Sequence, residues 1–222
     1  MGVLQRYAVR ALEGMGLLLF SAMVLDALVQ LHRALPLWAW SFALLAIPVA
    51  YFCADLLTGV IHWVCDSFGS ERTPLWGPLL VGPFRRHHRD PLEITRISLL
   101  ENLGASAIAG ALVLAAWQPQ PLEGALAQFA TLCGVWTLVF AVVSNLFHRW
   151  AHMPSKRKPG WMLVLQTKKL LLDTPTHLRH HRKPYRVNYC ILNGWANPVS
   201  NRVPWPRLEA ALARLGIPTN FD

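Results

Sequence analysis

The stretch GVWTLVFAVVSNLFHRWAH, residues 134–152, decides the reading of this chain. Its apolar part belongs in a hydrocarbon layer, and its end sets His148 and His152 four residues apart, on one face of a helix leaving that layer. Three more groups repeat the theme: His62, at the end of an earlier apolar run; His87 and His88, in RRHHRDP; and His177, His180 and His181, in HLRHH. Eight of the nine histidines fall into these four groups. Histidine is the commonest metal ligand, and its neutral form suits iron, copper and zinc. Eight ligands exceed the needs of one ion. They suit two ions sharing a pocket where membrane meets water.

The surrounding sequence supports the membrane. Of 222 residues, 54% are apolar and only 15% charged, which is low for a soluble domain of this size. A crossing helix needs about 20 apolar residues. Four stretches qualify, 12–31, 37–61, 99–117 and 124–147, and the expected fold is an all-α membrane protein of four transmembrane helices with a cytoplasmic helical cap carrying a histidine-rich dimetal site. Residues 1–36 read as an N-terminal transmembrane helix and 37–222 as one catalytic domain of three further spans plus the cap. The links at 32–36 and 118–123 are short and proline-marked, so they read as turns on one side.

Of the 21 Lys and Arg residues, only Arg33 lies on that turn side. The positive-inside rule therefore sets both termini, and every clustered histidine, in the cytoplasm. The same bias accounts for the net charge of +9, and nucleic acid is not an expected partner. Trp38, Trp40 and Trp117 mark the outer interface, and Trp63, Trp150 and Trp161 the inner one.

Cys53, Cys65, Cys133 and Cys190 show no C-x-x-C spacing and read as reduced, structural thiols. The first residues lack a small-residue cleavage signature and a myristoylation pattern, so neither processing step is expected. Gly104, Ala105, Ala109 and Gly110 offer a helix-packing seam. Asp26 and Asp55 are costly within spans. Asp55, two turns before His62, reads equally as support for the site or as a protonated packing group, and Asp26 stays open. TPLWGPLLVGPF (73–84) and WMLVLQTKKLLLD (161–173) are apolar but too broken or short to span; each can lie in the interface at a lipid entrance or simply pack the cap. PRLEAALARLG closes the chain as an amphipathic helix with no functional role expected.

Within the ligand groups, His177, His180 and His181 follow Asp173-Thr174-Pro175, a helix start with a capping residue and an early proline, and read as one face. His62 and Asp66 share the i, i+4 spacing. His32, beside Arg33, belongs to the opposite side. No cysteine joins the groups, which disfavours thiolate zinc and iron–sulfur clusters. All-imidazole ligation with one carboxylate suits two irons that bind and reduce dioxygen; zinc cannot do redox chemistry, though it can occupy such a site in purified protein. A bis-histidine haem needs histidines deep within paired spans, whereas these lie at helix ends.

HRWAH (148–152), HLRHH (177–181) and RRHHRDP (85–91) resemble the histidine boxes of membrane desaturases and hydroxylases. ADLLTGVIHWVCDSFG (54–69), RRHHRDPLEITR (85–96) and HHRKPYRVNYCILNGWANP (180–198) resemble, more specifically, the plasmanylethanolamine desaturase family, with its Kua-type and CarF-type proteins and a plastid relative acting on phosphatidylglycerol. The resemblance runs from about Tyr51 to the C-terminus. It implies a di-iron enzyme that uses dioxygen and two electrons to convert a 1-O-alkyl (plasmanyl) ethanolamine phospholipid into its vinyl ether, a plasmalogen. On this chain the eight clustered histidines would bind metal, Asp66 would be a ligand or orient one, and Asn188 or Asn193 would complete the shell. The first box supplies His62 and Asp66 where the general desaturase pattern has two histidines. Without an H-P-G-G motif a fused cytochrome b5 domain is not expected, and the expected electron source is a separate carrier, cytochrome b5-like or ferredoxin-like.

The reaction needs an alkyl chain held beside the metal pair, so placement outweighs acid–base chemistry. The chain would thread from the bilayer into an apolar slot, with the phosphate near Arg85, Arg86, Arg89 or Lys183. Two other readings stay open: an acyl-lipid desaturase or hydroxylase of the same di-iron type, and a non-catalytic membrane metal or haem protein. The compact chain fits a bacterial inner membrane.

Overall fold

Each long apolar run becomes one helix, because the hydrocarbon layer offers no other partner for backbone N–H and C=O groups. The computed structural model describes residues 3–34, 40–74, 77–120, 124–217 and 219. The helices are α1 (Val3–Ala34), α2 (Trp40–Ser67), α3 (Gly82–Arg89), α4 (Glu93–Arg96), α5 (Leu99–Trp117), α6 (Ala125–His152), α7 (Gly160–Thr167), α8 (Thr174–His180), α9 (Asn197–Ser200) and α10 (Trp205–Arg214), with a π-turn at Gly77–Val81 and a 3₁₀ turn at Ser155–Arg157. Among the described residues no strand forms beyond an isolated bridge between Phe68 and Thr219. Segments of α1, α2, α5 and α6 are long and apolar enough to cross a membrane: Tyr7–Ala34, Ala43–Ser67, Leu99–Trp117 and Ala125–His152. The all-α, four-span architecture is as the sequence predicts, but α2 and α6 run on past their apolar stretches to carry His62, Asp66, His148 and His152. Of the first expected turn, 32–34 are instead the last residues of α1, and 35–36, with Trp38, lie outside the described residues. So does 121–123 of the second, and 75–76 of the apolar 73–84 segment.

Contacts divide the chain into two units, residues 1–54 with 98–146 and residues 55–97 with 147–222. In the first unit, small residues let helices approach closely. A Cβ on Gly104 would lie 2.5 Å from Glu13 Cβ, and one on Gly110 2.7 Å from the Phe20 ring. The seam on α5 comprises Gly104, Ala107, Gly110, Ala111 and Leu114. Ala105 and Ala109, expected there, are only partly buried, since the buried stripe follows steps of three and four. Phe20, Leu114 and Val142 fill the space around it. Arg10 bridges Glu13 at 3.0 Å and pairs with Glu101. Asp26 is exposed and accepts from Gln30 at 2.7 Å.

The second unit contains the C-terminal turns of α2 and α6 and all the short helices. Its core is Trp63, Tyr189 and Trp205, with Phe68, Val203 and Leu212 against them, and a smaller group of Ala151, Leu172 and Ile191. Asp173 caps α8 as expected: one oxygen accepts from Thr176 N at 3.1 Å and the other holds Lys169 Nζ at 2.6 Å. The decisive tie is Asp55, fully buried. Its carboxylate accepts four backbone N–H groups, from Leu192, Asn193, Gly194 and Ala196, at 2.9–3.1 Å. Four donors on one carboxylate make Asp55 the anchor of the 192–196 loop, an acceptor rather than a protonated packing group.

Candidate metal centre

Four helix segments converge within the second unit. α2 contributes His62 and Asp66, α3 His87 and His88, α6 His148 and His152, and α8 His177 and His180, with His181 just past its end. Their donor atoms form two groups, each with all atoms within 4.8 Å of one another: His87, His148, His152, His177 and His181 in one, and His62, Asp66, His88 and His180 in the other. All eight clustered histidines are thereby brought together, and His32 is in neither group. The groups abut, with rings of His88 and His181 4.9 Å apart and of His62 and His148 5.9 Å apart.

The grouping crosses the sequence motifs. Neighbours in a helix point about 100° apart, so adjacent His87 and His88 serve different groups. His177 and His181, at i and i+4, share one, while His180 turns to the other, where the sequence reading had all three on one face.

Backbone carbonyls set the ring orientation in the second group. His62 Nδ1 lies 3.0 Å from the Tyr189 carbonyl and His180 Nδ1 2.9 Å from the Val187 carbonyl. Each Nδ1 donates, which leaves Nε2 a bare lone pair directed into the group. Asp66 meets these rings from the same side: its oxygens lie 3.1 and 3.2 Å from His88 Nε2, 3.4 Å from His180 Nε2 and 3.6 Å from His62 Nε2. A carboxylate that merely oriented a ligating imidazole would instead touch its Nδ1.

The first group is more crowded with nitrogen. His148 and His177 Nε2 are 2.8 Å apart, His177 and His181 Nε2 3.0 Å, and His181 and His87 Nε2 3.0 Å. A neutral ring nitrogen carries one proton or one lone pair, so this chain of three contacts cannot be satisfied by hydrogen bonds alone. Protonating the rings is no remedy. Burial, and after it repulsion from neighbouring histidines, push His87, His177 and His181 well below the ordinary imidazole range. A shared cation resolves the conflict. Two donors at right angles, each about 2.1 Å from one ion, lie about 3 Å apart, which matches these separations. The residues fit bound metal.

Supporting contacts hold the segments in place. Buried Lys158 donates to Gln166 at 3.0 Å and Thr174 at 2.8 Å, and Thr174 in turn donates to the Ala151 carbonyl at 2.5 Å. Arg149 donates to the carbonyls of Ile97 and Thr95 at 2.6 and 3.0 Å. Asn188 donates to the Thr176 carbonyl at 3.1 Å and accepts from Asn201 at 2.9 Å; Asn193 donates to the Lys169 carbonyl at 3.2 Å and accepts from Trp195 N at 3.1 Å. Both amides are thus engaged with protein groups. The basic residues suggested for a phosphate are also largely engaged: Arg85 with the carbonyls of Phe68 and Gly69, Arg86 with Glu93, and Arg89 with Glu71. Lys183 is exposed. The sequence offered no signal for the Tyr189 and Val187 carbonyls, which are backbone atoms, nor for Lys158.

Four long apolar helices and a buried imidazole-rich site define a multi-pass membrane protein able to hold metal. The family described as lipid desaturase domain matches residues 51–217, and the chain belongs to that family, as the motifs indicated. It is 33% identical to the plasmanylethanolamine desaturase of Myxococcus xanthus over 86% of this chain and 66% of that protein. It is 33% identical to plasmanylethanolamine desaturase 1 of Mus musculus over 75% of this chain and 63% of that one. It is also 35% identical to the chloroplastic fatty acid desaturase 4 of Arabidopsis thaliana, over 72% and 48%. The chain thus spans about half to two thirds of the length of these relatives. No solved structure matches it significantly.

Proposed function

We propose that this chain is a membrane lipid desaturase that holds two iron ions and converts a 1-O-alkyl (plasmanyl) ethanolamine phospholipid to the vinyl-ether plasmalogen. The observation that carries the reading is the pair of abutting donor groups, five histidines in one and three histidines with Asp66 in the other, in a chain of the lipid desaturase family. The reaction removes two hydrogens from adjacent carbons of the ether-linked chain. One dioxygen takes these two hydrogens, two electrons from a separate cytochrome b5-like or ferredoxin-like carrier and two protons from water, and is reduced to two waters. The irons, when bound, supply the oxidising power; zinc in their place would hold the fold without turnover.

The protein's task is placement. The Tyr189 and Val187 carbonyls keep His62 and His180 with Nε2 bare and aimed. Asp66, on the Nε2 side of three rings, is a ligand of the second ion, and its charge offsets that of a cation in a buried site. Asn188 is a positioning residue that holds α8 through the Thr176 carbonyl, close to His177. Residues 37–222 form the desaturase domain after an N-terminal span. Both termini face the cytoplasm, in the inner membrane of a bacterium, with the phosphate head group near exposed Lys183.

A second reading rests on the 35% identity to a plastid fatty acid desaturase: the same centre would desaturate an acyl chain. Lipid mass spectrometry separates the two. Cells expressing the chain and fed an alkylglycerol should make acid-labile vinyl-ether phospholipids, and cells expressing His180→Ala should not. A new acyl double bond without vinyl ether would favour the second reading. Unchanged lipids, with iron and a donor supplied, would refute both.

A further inference from the structure

The C-terminal amphipathic helix reads from sequence as a simple end to the chain, yet it carries a buried carboxylate. Glu209 on α10 is only 3% exposed. One of its oxygens accepts from Trp63 Nε1 and from Ser67 Oγ, both at 3.0 Å, and the other accepts from Arg186 at 2.9 Å. Trp63 and Ser67 each directly follow a residue of the second donor group, His62 and Asp66 respectively. Arg186 directly precedes Val187, whose carbonyl holds His180, and lies three residues before Tyr189, whose carbonyl holds His62. Glu209 therefore braces both sides of the second group: the helix turn that presents His62 and Asp66, and the loop whose carbonyls orient His62 and His180. Nearby contacts repeat the tie. Trp205, also on α10, packs its ring tilted against Trp63, with centroids 4.5 Å apart, and edge-on to Tyr189 at 5.9 Å, and beyond the helix the chain pairs Thr219 with Phe68. Among the described residues, Glu209 makes no such hydrogen bond to the segments presenting His148, His152 or His177.

We infer that Glu209 is a positioning residue selective for one of two metal ions, the one held by His62, Asp66, His88 and His180. This rests on the two-ion reading above. A buried carboxylate that takes two neutral donors and a guanidinium fixes each at once, and a neutral amide cannot face Arg186 in the same way. Groups that orient metal ligands typically affect affinity by about 10–100-fold when removed. Glu209 acts one step further out, so its loss belongs at the low end.

The test is a metal titration of full-length protein in detergent, with iron per chain measured by elemental analysis after dialysis, for wild type, Glu209→Gln and Arg186→Met. Glu209→Gln is close to isosteric, and Arg186→Met reaches the same brace from its other end, so one poorly folded variant does not decide the matter. Wild type should retain two ions. Both variants should retain one unchanged and bind the other about tenfold more weakly, with circular dichroism unaltered. Equal weakening of both ions, or two ions retained at wild-type affinity, would overturn the inference. A wild type that binds fewer than two ions would instead overturn the reading beneath it, and the selective role with it.

Discussion

Replacing Asp55 by Asn tests the anchor on which the second unit depends. Asp55 Oδ1 accepts from the N–H groups of Leu192, Asn193 and Gly194, and Oδ2 from that of Ala196. An asparagine can keep its oxygen where three donors meet. Its NH₂ then faces the Ala196 N–H, which is left buried without an acceptor, at a cost of about 1–3 kcal/mol. The three remaining bonds lose the charge of their acceptor, and the difference between charged and neutral hydrogen bonds is about 1 kcal/mol each. The sum is about 4–6 kcal/mol. For a chain of this length that corresponds to a fall in melting temperature of about 8–24 °C. The assay is thermal unfolding of metal-free protein in detergent, followed by intrinsic fluorescence, with Asp26→Asn as the control. Asp26 is exposed and accepts a hydrogen bond from Gln30 one turn on, so its substitution should stay within about 0.5 kcal/mol. An Asp55→Asn melt indistinguishable from that control would refute the argument, because four buried N–H groups cannot lose their carboxylate without cost.

Two further substitutions probe the surroundings of the site. A Cβ on Gly59 would lie 2.7 Å from Sγ of fully buried Cys190, so Gly59→Ala should destabilise by about 1–3 kcal/mol, and adding Cys190→Ala should restore part of the loss; additive effects in the double variant would count against the steric account. Burial would raise the Asp173 carboxyl, but the Lys169 ammonium and the Thr176 donors outweigh it and hold it below the ordinary carboxylate range. A group with a depressed folded pKa contributes stability that is complete above its unfolded pKa, about 3.9, and is lost as pH falls through the lower folded value. Asp173→Asn should therefore lower the melt of metal-free protein at neutral pH and flatten its decline below about pH 4; parallel pH profiles would show the contact to be without effect.

Periodicity and composition made much of this molecule legible. The apolar runs specify helices because lipid leaves the backbone no alternative, and the i, i+4 pairs 148/152 and 177/181 share a face by helical geometry alone. The capping role of Asp173 followed from three consecutive residues, and the motifs around His62, His87 and Asn193 identified the family. Those features are local, and local physics writes them into short stretches of chain.

Tertiary structure decided the rest. It sorted eight histidines and one aspartate into two donor groups that cut across the motifs, sending His87 and His88 apart and separating His180 from its neighbours. It placed Asp66 on the Nε2 side of its three histidines, which a spacing of four cannot do. It turned Asp55 into a loop anchor 137–141 residues from its partners in sequence and gave the closing helix, through Glu209, a hold on the site. These contacts join residues distant along the chain, several through backbone atoms that every residue possesses. A sequence records which groups are available; only the packed chain determines which donor meets which acceptor.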